Sequence, residues 1–207
     1  GQECIDELAA EVGLKEHVAA ITERAMRGEL AFEPALRERV GLLKGLDLSV
    51  VDTVIAERIH VTPGARALVA TMRAHGGYCA LVSGGFTVFT SRIAAMIGFD
   101  ENRANRLLTD MVNGREVLSG LVAEPILGQD AKREALFEHR ARLGLDAAET
   151  LAVGDGANDL AMIEVAGLGV AFRAKPKVAA AAHARIEHAD LTALLYAQGY
   201  RPAEFAA

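Results

Sequence analysis

The sequence predicts an α/β fold preceded by a helical module, and three observations carry that prediction. From Glu3 to about Ile59 apolar residues recur at helical spacing (Ile5, Leu8, Ala9, Val12; Val18, Ile21, Ala25; Leu36, Val40, Leu43), with no strand pattern among them. After Thr62-Pro63-Gly64, short apolar runs alternate with amphipathic stretches. The composition agrees: 51% of residues are hydrophobic, Trp is absent and aromatics make up 5%. The core is therefore aliphatic, as where Ala-rich helices pack on aliphatic strands.

Each element follows from its own punctuation. In the first part, breaks fall at Gly13, at Gly28-Glu29-Leu30 and at Gly45, where glycine can end a helix. Beyond Pro63 the pattern predicts a helix over Ala65–His75, a strand over Tyr78–Val82 and a helix over about Val88–Ile97. Later come a helix over Lys132–Leu143, a strand over Leu151–Val153, a helix over Asp159–Ala166 and a strand over Gly169–Phe172. Strands alternating with helices imply a parallel sheet covered on both faces. The Asn113-Gly114 step, flanked by Leu107-Leu108 and Val117-Leu118, reads as a β-hairpin turn. The expected organisation is a helical module over residues 1–61 and an α/β core over residues 62–207.

Charge and cysteine usage narrow the function classes. The net charge is -6 and the cations are scattered, so no basic stripe offers itself to nucleic acid. No apolar run approaches a membrane span and no leader pattern is read, so a soluble, cytoplasmic protein is expected. Cys4 and Cys79 form neither a metal spacing nor a disulfide framework and read as inert thiols.

Three places carry chemistry. Thr150-Leu-Ala-Val-Gly-Asp-Gly-Ala-Asn-Asp159 reads as a buried strand ending in Gly154-Asp155-Gly156, followed by a helix. Ligands of open α/β sheets gather at such carboxyl ends, and paired carboxylates beside glycines suit a hard cation such as Mg²⁺. The same residues also suit plain structure, with Asp155 as a turn former and Asp159 as a helix N-cap. Val82-Ser83-Gly84-Gly85-Phe86 places a hydroxyl and backbone N–H groups before a helix, a cradle for an anion or an ordinary turn. Lys132 begins a helix, where it is either a site cation or a solvated surface charge.

In this order the three motifs resemble the phosphate-handling ladder of the haloacid-dehalogenase-like hydrolases. The helical stretches Glu3-Cys-Ile-Asp-Glu-Leu-Ala, Ile21-Thr-Glu-Arg-Ala-Met-Arg-Gly-Glu-Leu and Phe32-Glu-x-x-Leu-Arg-Glu-Arg-Val resemble the cap of that superfamily's phosphoserine phosphatases. The resemblance continues through Ala104-Asn105-Arg106 and Ala171-Phe172-x-Ala-Lys-Pro176. It implies a Rossmannoid parallel-sheet core with a small helical-bundle cap. It also implies Mg²⁺-dependent hydrolysis of O-phosphoserine to serine and phosphate through an aspartyl-phosphate, the last step of serine biosynthesis.

The resemblance further assigns roles. Asp155 would hold Mg²⁺ and Asp159 orient the metal's outer shell. Lys132 would neutralise nucleophile and phosphate, Ser83, Gly84 and Gly85 bind phosphate oxygens, and Asn158 contact the substrate. Glu3 would pair with the substrate ammonium and Arg39 with its carboxylate, while Met26 and Phe32 wall the pocket. The expected partner is a small-molecule substrate, without nucleic acid or membrane, and a homodimer is compatible with the pattern.

One departure stands out. The family's nucleophile lies in an Asp-x-Asp-Ser/Thr motif on the first core strand, and no such motif occurs in the 207 residues. That strand, expected between those ending at Ser83 and Gly154, is missing, and the nucleophile and general acid are expected upstream of Gly1. The 207 residues by themselves are expected to be inactive. Two rival readings remain open: a related phosphatase or phosphotransferase for another small metabolite, and a non-catalytic module that binds an anion or a partner. A substrate without an amino-acid backbone would need neither Glu3 nor Arg39.

Overall fold

The computed structural model describes residues 4–26, 29–128 and 130–206. Helices α1 (Cys4–Glu11), α2 (Lys15–Met26), α3 (Phe32–Gly41), α4 (Val50–Arg58) and α5 (Ala65–Ala74) come first. Then follow β1 (Ala80–Phe86), α6 (Thr87–Ile97), β2 (Glu101–Asn105), β3 (Leu107–Val112), β4 (Arg115–Val122) and α7 (Ala131–Leu143). The remaining elements are β5 (Leu151–Gly154), α8 (Leu160–Val165), β6 (Leu168–Phe172), α9 (Pro176–Ala181), β7 (Ala184–Ile186) and α10 (Ala193–Ala197). No helix among the described residues is long and apolar enough to cross a membrane.

Two compact units divide this chain. One comprises the described residues up to His60 together with Ser83–Ala95 and Asn102–Gly128; the other comprises Val61–Val82, Met96–Glu101 and the described residues from Asp130 onward. Residues 83–95 and 102–128 thus group with the first helices, across the boundary expected between residues 61 and 62. The reason is hydrophobic: Ile5, Leu8, Leu36, Val40, Leu43, Val51 and Val54 of the first four helices share one cluster with Phe86, Phe89, Leu107 and Leu118. The helical stripes visible in the sequence close their core with residues that arrive much later in the chain.

Within the first unit, β3 and β4 form the expected antiparallel hairpin, with Val112 opposite Arg115. Asn113 and Gly114 both take positive φ, 50° and 77°, the backbone signature of a two-residue type I′ turn. The outer edge of β4 is held by Gly45–Leu48. The Gly45 N–H donates to the Leu118 carbonyl (2.8 Å), the Leu118 N–H to that of Leu46 (2.8 Å), and the Leu48 N–H to that of Glu116 (2.9 Å).

In the second unit, β5, β6 and β7 form a three-stranded parallel sheet. Helix α8 crosses between β5 and β6 and buries Ile163. The crossing is close: a Cβ built on Gly169 would lie 2.0 Å from the Ile163 carbonyl oxygen, so β6 carries no side chain at that point. The fold is α/β with a parallel sheet, as expected, but the ladder is divided. Strand β1 pairs with β2 in a separate two-stranded sheet, and no described strand pairs with both β1 and β5.

The element boundaries shift in one place that matters for chemistry. The strand expected over Tyr78–Val82 begins at Ala80 and runs to Phe86, so Ser83-Gly84-Gly85 is its final stretch rather than a loop after it. Glycine tolerates extended backbone as well as a turn, and composition does not distinguish the two.

Candidate active site

Strand β5 carries the first group of candidate residues to its carboxyl end. After Gly154 the chain makes a short 3₁₀ turn over Ala157–Asp159 and enters α8. Asp159 is 4% exposed and folds back under that turn. Its Oδ2 accepts the backbone N–H groups of Asp155 and Gly156, both at 3.0 Å, and its Oδ1 accepts Lys132 Nζ at 2.5 Å. Lys132, in the first turn of α7, keeps only 13% of its side chain exposed. The buried charges are thus paired and hydrogen-bonded together, the arrangement that offsets their desolvation.

Gly154 is required by this packing, because a Cβ there would lie 2.3 Å from Asp159 Cβ. Asp155 and Asn158 stand exposed on the turn. The space beside Gly156 is taken by Asn158, whose Oδ1 would meet a Cβ on that glycine at 2.6 Å. The Asp155 carbonyl accepts the N–H of Lys175 at 3.2 Å, which ties the turn to the segment after β6. Arg173 precedes that contact with φ 46°, a left-handed conformation rare outside glycine. It is held there by its N–H on the Ile186 carbonyl (2.8 Å) and its guanidinium on the Ala189 carbonyl (3.2 Å).

The second group lies in the other unit. Ser83 Oγ accepts the Gly85 N–H at 3.0 Å, so that N–H, expected to face an anion, is turned inward instead. Because the oxygen already accepts a bond, the Ser83 hydroxyl proton is directed elsewhere. Phe32, at the start of α3, lies against Gly84, its Cζ 3.7 Å from where a Cβ would be. Arg39 is 7% exposed on the same helix. Its Nε donates to the Ala35 carbonyl (3.3 Å) and its Nη1 to Thr22 Oγ1 (3.1 Å), while Thr22 in turn donates to the Val18 carbonyl (3.1 Å).

The structure therefore brings Lys132, Asp155, Asn158 and Asp159 together in one unit, and Phe32 with Ser83–Gly85 in the other. Glu3 lies outside the described residues, and Met26 falls in α2 with its side chain outside them. Sequence reasoning gave no role to Asn105, whose buried amide donates to the Gly84 carbonyl, to Thr22 or to the Lys175 N–H. Each acts on a partner distant in sequence or through the backbone, so residue type and spacing carried no signal for it.

Residues 3–164 match the family model of the haloacid dehalogenase-like hydrolases. The chain belongs to that family. It is 46% identical over 197 residues to the phosphoserine phosphatase of Streptomyces coelicolor, covering 95% of this chain and 47% of that protein. It is also 46% identical to the phosphoserine phosphatase of Albidiferax ferrireducens, over 93% of this chain and 82% of the relative. Among solved structures it resembles the phospho-aspartyl intermediate analogue of a phosphoserine phosphatase, with TM-score 0.83, 41% identity and coverage of 95% and 91% of the two chains. The chain thus spans about half the length of the Streptomyces relative.

The carboxylates after β5 are the ones expected to bear on metal binding, and their surroundings can be set beside that expectation. Both Asp159 oxygens already accept N–H donors, which fits a carboxylate that orients an outer shell rather than a direct ligand. Asp155, exposed at the strand end, is a hard oxygen donor of the kind Mg²⁺ takes. No group of three or more His, Cys, Asp or Glu side chains among the described residues is placed to hold a metal ion. These residues fit a cation as one contributing carboxylate and its support, and do not enclose one by themselves.

Proposed function

We propose that the protein hydrolyses O-phosphoserine to serine and inorganic phosphate in the cytoplasm, as the last step of serine biosynthesis. The observation that carries the reading is the Lys132–Asp159–Asp155 constellation at the end of a parallel strand: a cation paired with a carboxylate that backbone N–H groups hold, and a second carboxylate exposed on the same turn. The relatives of this chain that are named phosphoserine phosphatases support the choice of substrate. The solved phospho-aspartyl analogue supports a two-step route.

In that route an aspartate carboxylate attacks phosphorus as the bond to the serine oxygen breaks. The departing oxygen takes a proton from a general acid. Water then attacks the aspartyl-phosphate, releases phosphate and restores the carboxylate. No Asp-x-Asp-Ser/Thr motif occurs among these 207 residues, so neither the attacking carboxylate nor the general acid is assigned to any of them. Asp155 would contribute a ligand to Mg²⁺ and Asp159 would orient its outer shell, and the ion would supply charge neutralisation there.

The chain's own residues perform the rest. Lys132 offsets the negative charge of nucleophile and phosphate, the main electrostatic obstacle to this reaction. Ser83 offers its hydroxyl proton and Gly84 its N–H to phosphate oxygens, and Asn158 contacts the substrate side. In the cap of residues 1–61, Glu3 takes the substrate ammonium and Arg39 its carboxylate, with Met26 and Phe32 as walls.

Arg39→Ala in the full-length protein tests the reading. Loss of a buried charge partner costs about 2–5 kcal/mol, so kcat/KM for phosphoserine should fall roughly 30- to several-thousand-fold. Hydrolysis of p-nitrophenyl phosphate, which has no carboxylate to bind, should fall far less. Equal losses on both substrates would remove the amino-acid specificity.

A further inference from the structure

We propose that Asn105 is a positioning residue that fixes the phosphate cradle, an assignment that rests on the reading of Ser83 and Gly84 as phosphate ligands. Asn105 is the last residue of β2 and is 2% exposed. A buried side-chain amide needs partners at both ends, and this one has them. Its Nδ2 donates to the Gly84 carbonyl (2.9 Å) and to the Leu127 carbonyl (3.4 Å), and its Oδ1 accepts the Leu127 N–H (2.7 Å).

The partner on the strand side is what gives the amide its function. The Gly84 carbonyl and the Gly85 N–H belong to one peptide plane. Asn105 holds the oxygen end of that plane, and Ser83 Oγ holds the N–H end at 3.0 Å. Neither glycine has a side chain to restrain it, and glycine backbone is the freest of all. With both ends held, the plane cannot turn. The Gly85 N–H therefore stays on Ser83 Oγ, and the Ser83 proton stays available to an anion. If the Gly84 carbonyl lost its donor, rotation of the plane would release both.

The same amide holds the Leu127 backbone through both its N–H and its carbonyl.

Asn105→Asp and Asn105→Ala in the full-length protein separate positioning from plain structural support. The aspartate keeps an oxygen for the Leu127 N–H but turns an acceptor toward the Gly84 carbonyl, whereas alanine removes every bond. For Asn105→Asp we expect kcat/KM to fall about 10- to 100-fold on phosphoserine and on p-nitrophenyl phosphate alike, the range expected when a buried acceptor loses its donor. The dissociation constant of inorganic phosphate, measured by calorimetry, should rise by a similar factor. The ratio of the two substrates should stay as in the wild type, unlike the effect of Arg39→Ala.

A folded Asn105→Asp protein with unchanged kinetics and phosphate affinity would overturn the assignment. So would a lowered melting temperature with normal kcat/KM per folded molecule, since that is the signature of a structural role. Failure of both variants to fold would make Asn105 a folding residue and would equally reject positioning. A wild-type protein that hydrolyses neither ester would instead reject the phosphatase reading itself.

Discussion

Asp155 and Asp159 stand four residues apart in one turn and have different surroundings. Asp159 is buried with both oxygens on N–H donors, and Asp155 is exposed at the end of β5 with its backbone tied to Lys175. The difference predicts different consequences of mutation. Asp155→Asn should leave stability within about 0.5 kcal/mol, as exposed polar substitutions usually do. In the full-length protein it should lower kcat by roughly 10²–10³, the scale of losing one charge-stabilising group, and raise the Mg²⁺ concentration needed for half-maximal rate. Unchanged Mg²⁺ dependence would make Asp155 a turn residue. The two acids and the lysine were visible in the sequence as separate motifs, whereas the Lys132–Asp159 ion pair and the buried amide of Asn105 were not. Its partners lie 21 and 22 residues away, and an asparagine before a strand reads as any other polar residue.

The β3–β4 hairpin is fastened at both ends of its logic, by its turn and by its edge. The Asn113-Gly114 turn fixes the register, and the Gly45–Leu48 segment bonds to β4 through backbone. Leu118 is 1% exposed and joins the cluster of the first helices. Leu118→Ala should therefore cost about 2–5 kcal/mol, read as a lower midpoint in denaturant unfolding. A loss under about 1 kcal/mol would show that the hairpin packs independently of those helices. The hairpin was legible from Asn-Gly between apolar runs, and the helices from their 3.6-residue spacing. The sharing of one core between them was not, since periodicity reports which face is apolar and is silent on its partner. The same limit hid the division of the sheet into separate ladders.

Taken over the whole molecule, carboxylates with lowered pKa occur in both units. The Arg37 guanidinium, hydrogen-bonded at 2.7 Å, lowers Glu124; the hydroxyl and N–H of Ser49 lower Asp47; and those of Thr192 lower Asp190. A carboxylate whose folded pKa lies below its unfolded value near 4 contributes stability above that value and loses it as pH falls through the folded pKa. At the alkaline end, burial first and Asp100 second push the Cys79 thiol up to about 11. Its contribution is present below the ordinary thiol value and fades as pH rises through about 11. Denaturant melts from pH 2 to 11 should give a plateau near neutrality that declines on the acid side from about pH 4. Asp190→Asn should flatten the acid limb, and an acid limb identical to wild type would show that Asp190 contributes nothing.

Gly169 has a further meaning when the gene is considered. Glycine is the one residue without a Cβ, so every missense change at its codon places an atom where the Ile163 carbonyl oxygen already sits. The crossing of α8 over β6 thus leaves no neutral amino-acid replacement at that codon, and sequence drift in the β5–α8–β6 segment must proceed around a fixed point set by backbone packing.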